Sequence, residues 1–172
     1  FEMGHRGTKP ESEAYGFDFA EDPERLAQFK EAVDIIRMMW TKGPSSYEGK
    51  HYSIRGAVNH PLPTQQPHPP LWIGTLGTEL SSSIAPNKQV LEIAAMYADG
   101  WNNTPASPEQ CKVMLDALRQ ACERNDRDYG SIRKSMETQI LIAPNKGEVE
   151  RLKDKISEAN PKSYTDAAWK RA

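Results

Sequence analysis

Residues 71–78 read LWIGTLGT, a short apolar run that leads into a loop containing two glycines. The run is typical of a buried strand, and the small residues after it predict a loop at the carboxyl end of that strand. Glycine lets a backbone approach a ligand closely, and the amide groups of such a loop can bind an anion. The stretch therefore predicts a strand followed either by a phosphate-binding loop or by an ordinary turn.

Strand and helix patterns alternate on both sides of this stretch. Asp22-Pro23 predicts a helix start, and Lys42-Gly43-Pro44 predicts its end. The alternation predicts an α/β fold of parallel βαβ units with three core strands and a hairpin inserted after the first helix. Beyond 71–74, the predicted elements are an irregular loop over 1–21, a hairpin near 47–54, helices over about 89–97 and 107–125, strands near 100–102 and over 135–143, a helix after 147 and a frayed, disordered tail over 160–172.

Length and composition bound the class of protein. The chain has 172 residues, a formal net charge of −2 and a mean hydropathy of −0.74. The length predicts one domain, and the balanced charge gives no electrostatic reason to expect a nucleic-acid or membrane partner. The low apolar content indicates either a polar single domain or part of a domain whose most buried elements are missing.

The cysteines and histidines indicate no metal site. Cys111 and Cys122 fall eleven residues apart in one predicted helix, about 16 Å along its axis, which is too far for a disulfide between them. We expect them to act as small core residues, and we expect a reducing, cytoplasmic location. The four histidines show no metal-ligand spacing.

Two further features each allow two interpretations. Residues 60–70 contain five prolines and predict an extended surface loop, with a peptide-recognition motif as the alternative. Trp101 follows Asp99-Gly100 at a predicted strand start. It could stack on a planar cofactor, but a tryptophan in the core beside an Asp-Gly turn is the more common arrangement.

Three motifs in this order resemble the luciferase-like monooxygenase family. They are YEGKHY at 47–52, PLPTQ with PPLWIG at 61–65 and 69–74, and AAMYADGWN at 94–102. The resemblance implies a (β/α)8 barrel with a flavin at the carboxyl ends of its strands. Such barrels need about 250 residues, so the chain matches a partial TIM barrel running roughly from helix four to helix seven, with strands five to seven present.

The resemblance also implies the site. It implies that the cofactor is FMN or the deazaflavin coenzyme F420, with the deazaflavin slightly favoured. Residues 81–88 look inserted relative to the family, and the family's usual catalytic histidine lies on an earlier strand. The catalytic residues stay unknown, with Glu2 and His5 as candidates to face the flavin ring. The residues that match the family's flavin-phosphate loop are Gly74, Thr75, Leu76, Gly77 and Thr78.

The implied function is a flavin-dependent oxidoreductase or monooxygenase. Such an enzyme would transfer a hydride or activate oxygen on a small organic substrate, with the whole protein as a homodimer and no nucleic-acid or membrane partner. Two alternatives stay open at this point. One is a truncated, non-catalytic fragment that binds no flavin, and the other is a different phosphate-binding α/β domain.

Overall fold

Four short parallel strands form the main sheet of the computed structural model, which describes residues 1–4, 9–75, 88–103, 108–137, 140–159 and 161. The elements in chain order are β1 (Glu2–Met3), α1 (Lys9–Ala14), α2 (Asp22–Thr41), β2 (Ser45–Glu48), β3 (Ser53–Ala57), β4 (Trp72–Thr75), α3 (Lys88–Tyr97), β5 (Gly100–Asn103), α4 (Pro108–Arg124), β6 (Arg133–Met136) and α5 (Lys146–Ala159). A 3-10 turn, Tyr129–Ser131, precedes β6.

The sheet order is β1-β4-β5-β6, and every neighbouring pair is parallel. Helix α3 connects β4 to β5, and α4 connects β5 to β6. These are two consecutive βαβ units, which confirms the predicted α/β class. Strands β2 and β3 form a separate antiparallel hairpin after α2, also as predicted.

The prediction of an irregular loop over 1–21 is wrong at two places. Residues Glu2–Met3 form β1, which pairs in parallel with β4, and residues Lys9–Ala14 form the helix α1. The backbone N–H of Trp72 donates to the carbonyl oxygen of Phe1 at 2.7 Å. A two-residue strand shows no periodicity of its own, and β1 exists because β4 offers it a partner. The sheet therefore has four parallel strands where the sequence predicted three.

The predicted strand over 135–143 is also misplaced. The strand β6 is Arg133–Met136, and Ile140 and Ile142 lie outside any strand, with 75% and 82% of their surface exposed. The apolar run ILI predicts burial only if another element packs on it. Within the part of the chain that the structure describes, β6 is an edge strand and no element covers these isoleucines.

Helices α2, α3 and α4 pack on one face of the sheet and form the core with it. Each of these helices contributes fully buried side chains, such as Val33 on α2, Leu91 on α3 and Leu118 on α4. Cys122 is buried in the same core, as predicted, and Cys111 is partly buried. Helix α5 carries no buried residue.

The hairpin is anchored to α2 by one carboxylate. Glu31 on α2 accepts the backbone N–H groups of Lys50, His51 and Tyr52 at 2.8, 2.9 and 3.0 Å. Desolvation favours the neutral carboxyl, but these three donors outweigh it and lower the pKa of Glu31. A side chain at Gly49 would collide with this carboxylate, so the glycine of the YEGKHY motif is explained by the packing of its turn on α2.

The two faces of the sheet differ in exposure. Residues on the face opposite the core alternate with the buried ones, as strand geometry requires. Glu2 and Ser135 are exposed there, and Trp72, Gly74 and Asn102 are half-buried. We call this the open face. Among the described helices, none is long and apolar enough to cross a membrane.

Candidate functional site

The predicted cofactor residues begin at the carboxyl end of β4. Gly74 and Thr75 are the last two residues of that strand, and Glu2 lies on the neighbouring strand β1. Four of the predicted site residues lie outside the described residues, namely His5, Leu76, Gly77 and Thr78. Most of the apparent insertion at 81–88 lies outside them as well. The roles assigned to all of these residues stay predictions.

The Thr75 side chain points into the core and not toward solvent. Only 4% of its surface is exposed. Its hydroxyl accepts the indole N–H of Trp101 at 3.1 Å and donates to the Asn103 amide oxygen at 3.1 Å. This hydroxyl is therefore engaged in the interior of the fold, and its orientation does not support a direct contact with an anion beyond the strand end.

Trp101 is a core residue, with 1% of its surface exposed. Its indole cannot stack on a cofactor from this position. Of the two interpretations that the sequence allowed, burial in the core is confirmed. The adjacent Asp99 carboxylate accepts the backbone N–H of Leu71 at 2.8 Å, which ties the start of β4 to the start of β5. The ADGWN segment is thus explained by how it joins the two strands.

The side-chain amide of Asn103, at the carboxyl end of β5, has a buried N–H donor. The residue is fully buried, and its amide oxygen accepts the Thr75 hydroxyl. Its Nδ2 group has no hydrogen-bond partner among the residues that the structure describes. Leaving such a donor unpaired costs about 1–3 kcal/mol. Residues kept at that cost are candidates to contact a ligand.

A chain of polar side chains crosses the open face at the same end of the strands. The Asn102 amide donates to Glu2 Oε1 at 3.1 Å, and the Ser135 hydroxyl donates to Asn102 Oδ1 at 2.8 Å. Neither Asn102 nor Ser135 is among the site residues predicted from the sequence. The available signal was the register of parallel strands, since Gly74 pairs with Asn102 and Asn102 with Ser135.

The Glu2 side chain passes close over Gly74 where this row of polar side chains crosses β4. A Cβ atom built there would lie 2.6 Å from Glu2 Oε1, which is closer than real Cβ contacts. The absence of a side chain lets the Glu2 carboxylate pass over β4 and reach Asn102. Gly74 was predicted to let the backbone approach a phosphate. Its missing side chain also makes room for the Glu2 carboxylate on the open face.

A separate cleft of about 240 Å3 opens on the helix side of β1. None of Gly74, Thr75, Asn102 or Asn103 lines it, so we do not assign it to the cofactor site. In the described part of the chain, no group of three or more His, Cys, Asp and Glu side chains could hold a metal ion. The cleft is lined by Met3, Gly4, Arg25, Gln28, Phe29, Ala32 and Tyr52.

Curated relatives match most of the chain. It is 26% identical over 131 residues to an F420-dependent glucose-6-phosphate dehydrogenase of Microbacterium testaceum, covering 75% of this chain and 35% of the relative. The enzyme of the same name from Kineococcus radiotolerans is also 26% identical, over 129 residues, covering 74% of this chain and 35% of the relative. The chain thus spans about a third of the length of these relatives.

Solved structures with the same fold cover nearly the whole chain. An F420-dependent secondary alcohol dehydrogenase in complex with an F420-acetone adduct has a TM-score of 0.73 at 19% identity, covering 95% of this chain and 47% of that one. The coenzyme F420 dependent tetrahydromethanopterin reductase from Methanopyrus kandleri has a TM-score of 0.68 at 19% identity, and the match covers 90% of this chain and 46% of the reductase. The EDTA monooxygenase from Chelativorans has a TM-score of 0.63 at 19% identity, and the match covers 90% of this chain and 39% of the monooxygenase.

The family model described as luciferase-like monooxygenase matches residues 1–169, almost the entire chain. This match agrees with the three motifs quoted from the sequence and with the parallel sheet. The chain belongs to the luciferase-like monooxygenase family.

Proposed function

We propose that this chain is part of a flavin- or deazaflavin-dependent oxidoreductase and supplies one side of its cofactor site. The observation that carries the proposal is the buried, unpartnered Asn103 Nδ2 donor next to Thr75, where β4 enters the predicted phosphate loop. An anionic oxygen is the ligand that such a donor and the neighbouring backbone N–H groups suit best. The similarity to F420-dependent enzymes supports the deazaflavin coenzyme, and FMN is the second candidate.

We further propose that the sheet is part of a (β/α)8 barrel. The open face supports this, because all-parallel sheets are covered on both faces in folded proteins. In a complete barrel the open face would point inward, toward the other strands, with the cofactor at the carboxyl ends of the strands. Strands β1, β4, β5 and β6 would be barrel strands four to seven, with β1 as the end of the fourth. The whole protein would act on a small organic substrate and could form a homodimer.

The described residues fit such a cofactor at two positions. Asn103 and the backbone of Gly74-Thr75 would hold the phosphate together with residues 76–78, and Glu2 would face the ring. When bound, the flavin or deazaflavin supplies hydride transfer or, as reduced FMN, oxygen activation. The protein's own part is to fix these groups. The Trp101–Thr75–Asn103 hydrogen bonds hold the buried Asn103 amide in one orientation.

Titration of the chain with FMN and with the deazaflavin coenzyme, followed by fluorescence and melting temperature, tests this proposal. The variant Asn103→Asp keeps the oxygen that accepts the Thr75 hydroxyl and replaces the amide donor. We expect it to weaken FMN binding about tenfold or more while changing riboflavin binding, which involves no phosphate, much less.

The control is Asn59→Asp, which alters a half-buried amide far along the chain from the strand ends. If neither cofactor binds the wild-type chain, the proposal is wrong and the interpretation as a non-catalytic fragment takes its place. If Asn103→Asp weakens riboflavin as much as FMN, Asn103 does not contact the phosphate.

A further inference from the structure

The polar chain on the open face has a fixed direction. The Glu2 carboxylate can only accept, so the Asn102 NH2 group must face it, and Asn102 Oδ1 is left to accept the Ser135 hydroxyl. The Glu2 carboxylate receives that donor on Oε1. Three strands, β1, β5 and β6, thereby set the position of one carboxylate that lies across the fourth, β4.

The second oxygen of that carboxylate is available to a ligand. Glu2 Oε2 accepts no hydrogen bond from the residues that the structure describes, and Glu2 is exposed. A carboxylate held by one neutral donor still has several lone pairs that can accept further hydrogen bonds. The open acceptor lies at the carboxyl end of the strands, where parallel α/β folds bind their ligands.

A flat apolar surface lies on the same face, one pleat closer to the strand starts. The indole of half-buried Trp72 rests against the backbone of Gly100, and a Cβ at Gly100 would overlap it. The open face therefore combines a planar apolar surface with a fixed hydrogen-bond acceptor. A planar heterocycle that carries an N–H group matches both features.

We propose that Asn102 is a positioning residue that holds the Glu2 carboxylate over Gly74, where Glu2 accepts a hydrogen bond from the ring N–H of the flavin or deazaflavin. This inference rests on the proposed function. Ser135 supports Asn102 by donating a hydrogen bond to its amide oxygen. Gly74 takes part because its missing side chain leaves room for the Glu2 carboxylate over β4.

The test uses the full chain with two pairs of probes. Riboflavin and 5-deazariboflavin carry the ring N–H, and their N3-methyl derivatives lack it. We expect the wild-type chain to bind the N–H form of its preferred ring about tenfold or more tightly than the methylated form. In Glu2→Ala and Asn102→Ala this preference should fall to near one. A merely structural role would weaken both forms alike and leave the ratio unchanged.

Serine variants separate the positioning role from general damage. Ser135→Ala should reduce the preference for the N–H form several-fold, and Ser135→Thr, which keeps the hydroxyl, should retain it. The control is Ser53→Ala, which removes an exposed hydroxyl that donates to Glu48 in the hairpin. An unchanged preference in Glu2→Ala overturns the inference and leaves the proposed function standing. A wild-type chain that binds no ring and no phosphorylated cofactor overturns both.

Discussion

The Trp72 indole and the Gly100 backbone are in direct contact across paired positions of β4 and β5. Gly100 follows Asp99 and is itself buried, so its missing side chain is needed for close packing and not for an unusual backbone angle. The missing side chain at Gly100 thus leaves room for the Trp72 indole over the neighbouring strand on the open face.

The variant Gly100→Ala tests the contact. The added methyl group would overlap the indole, and overpacking of this kind costs about 1–3 kcal/mol. We expect chemical denaturation to show that loss. In the double variant Gly100→Ala/Trp72→Leu, which removes the indole, the added methyl should cost much less. Equal costs in both backgrounds would show that the Trp72 contact does not explain the glycine.

Thr75 gives a second prediction about stability. The variant Thr75→Val keeps the shape of the side chain but removes the acceptor of the Trp101 indole N–H. A buried donor left without a partner costs about 1–3 kcal/mol. The free energy of unfolding should fall by that amount in Thr75→Val, and Thr75→Ser, which keeps the hydroxyl, should lose less. A Thr75→Val chain as stable as the wild type contradicts the buried network.

The exposed isoleucines are expected to tolerate change. Ile142 lies outside any strand, so Ile142→Ser should alter the free energy of unfolding of this chain by about 0.5 kcal/mol or less. Leu118 is fully buried on α4, and Leu118→Ala should cost about 2–5 kcal/mol. If the two substitutions proved equally damaging, Ile142 would be part of a core after all.

Glu31 predicts a pH effect on the hairpin. Its pKa is lowered in the folded chain from an ordinary value of 4.5, so the stability it contributes is present in full above that value. This contribution is lost as the pH falls through the lower, folded pKa. Between pH 7 and pH 3, Glu31→Gln should show a flatter melting-temperature profile than the wild type.

Amide exchange gives an independent check of the same anchor. In the wild type at neutral pH, the amides of Lys50, His51 and Tyr52 donate to the Glu31 carboxylate and should exchange slowly. Glu31→Gln should speed their exchange, and Glu48→Gln, a change on the exposed hairpin edge, should not. Unchanged exchange in Glu31→Gln would contradict the anchoring role.

The helices and the central strands could be predicted from the sequence because their signals are local. Helix α2 begins after an acidic residue with a proline in its first turn and ends before Gly43-Pro44, close to the predicted limits. Helices α3 and α4 lie within one or two residues of the predicted bounds. Capping, proline and periodicity all act within a few residues, so one sequence carries them.

The features that were missed depend on pairing between distant segments. Strand β1 has two residues and exists through its contact with β4, seventy residues later. The apolar run at 140–142 looks like a strand but has no described partner, so its isoleucines stay exposed. Asn102 and Ser135 become a site only when parallel register brings Glu2 to them. Periodicity says which face a residue takes, but not which distant residue will lie beside it.

The proposed function requires that this chain binds the cofactor. A titration followed by melting temperature measures that binding directly. A ligand that binds only the folded chain stabilises it by about 2.7 kcal/mol at one hundred times its dissociation constant. We expect FMN or the deazaflavin coenzyme to bind one per chain, to raise the melting temperature by the corresponding amount and to do so less in Asn103→Asp. A melting temperature that stays constant with both cofactors, and with no change in their fluorescence, would contradict the proposed site.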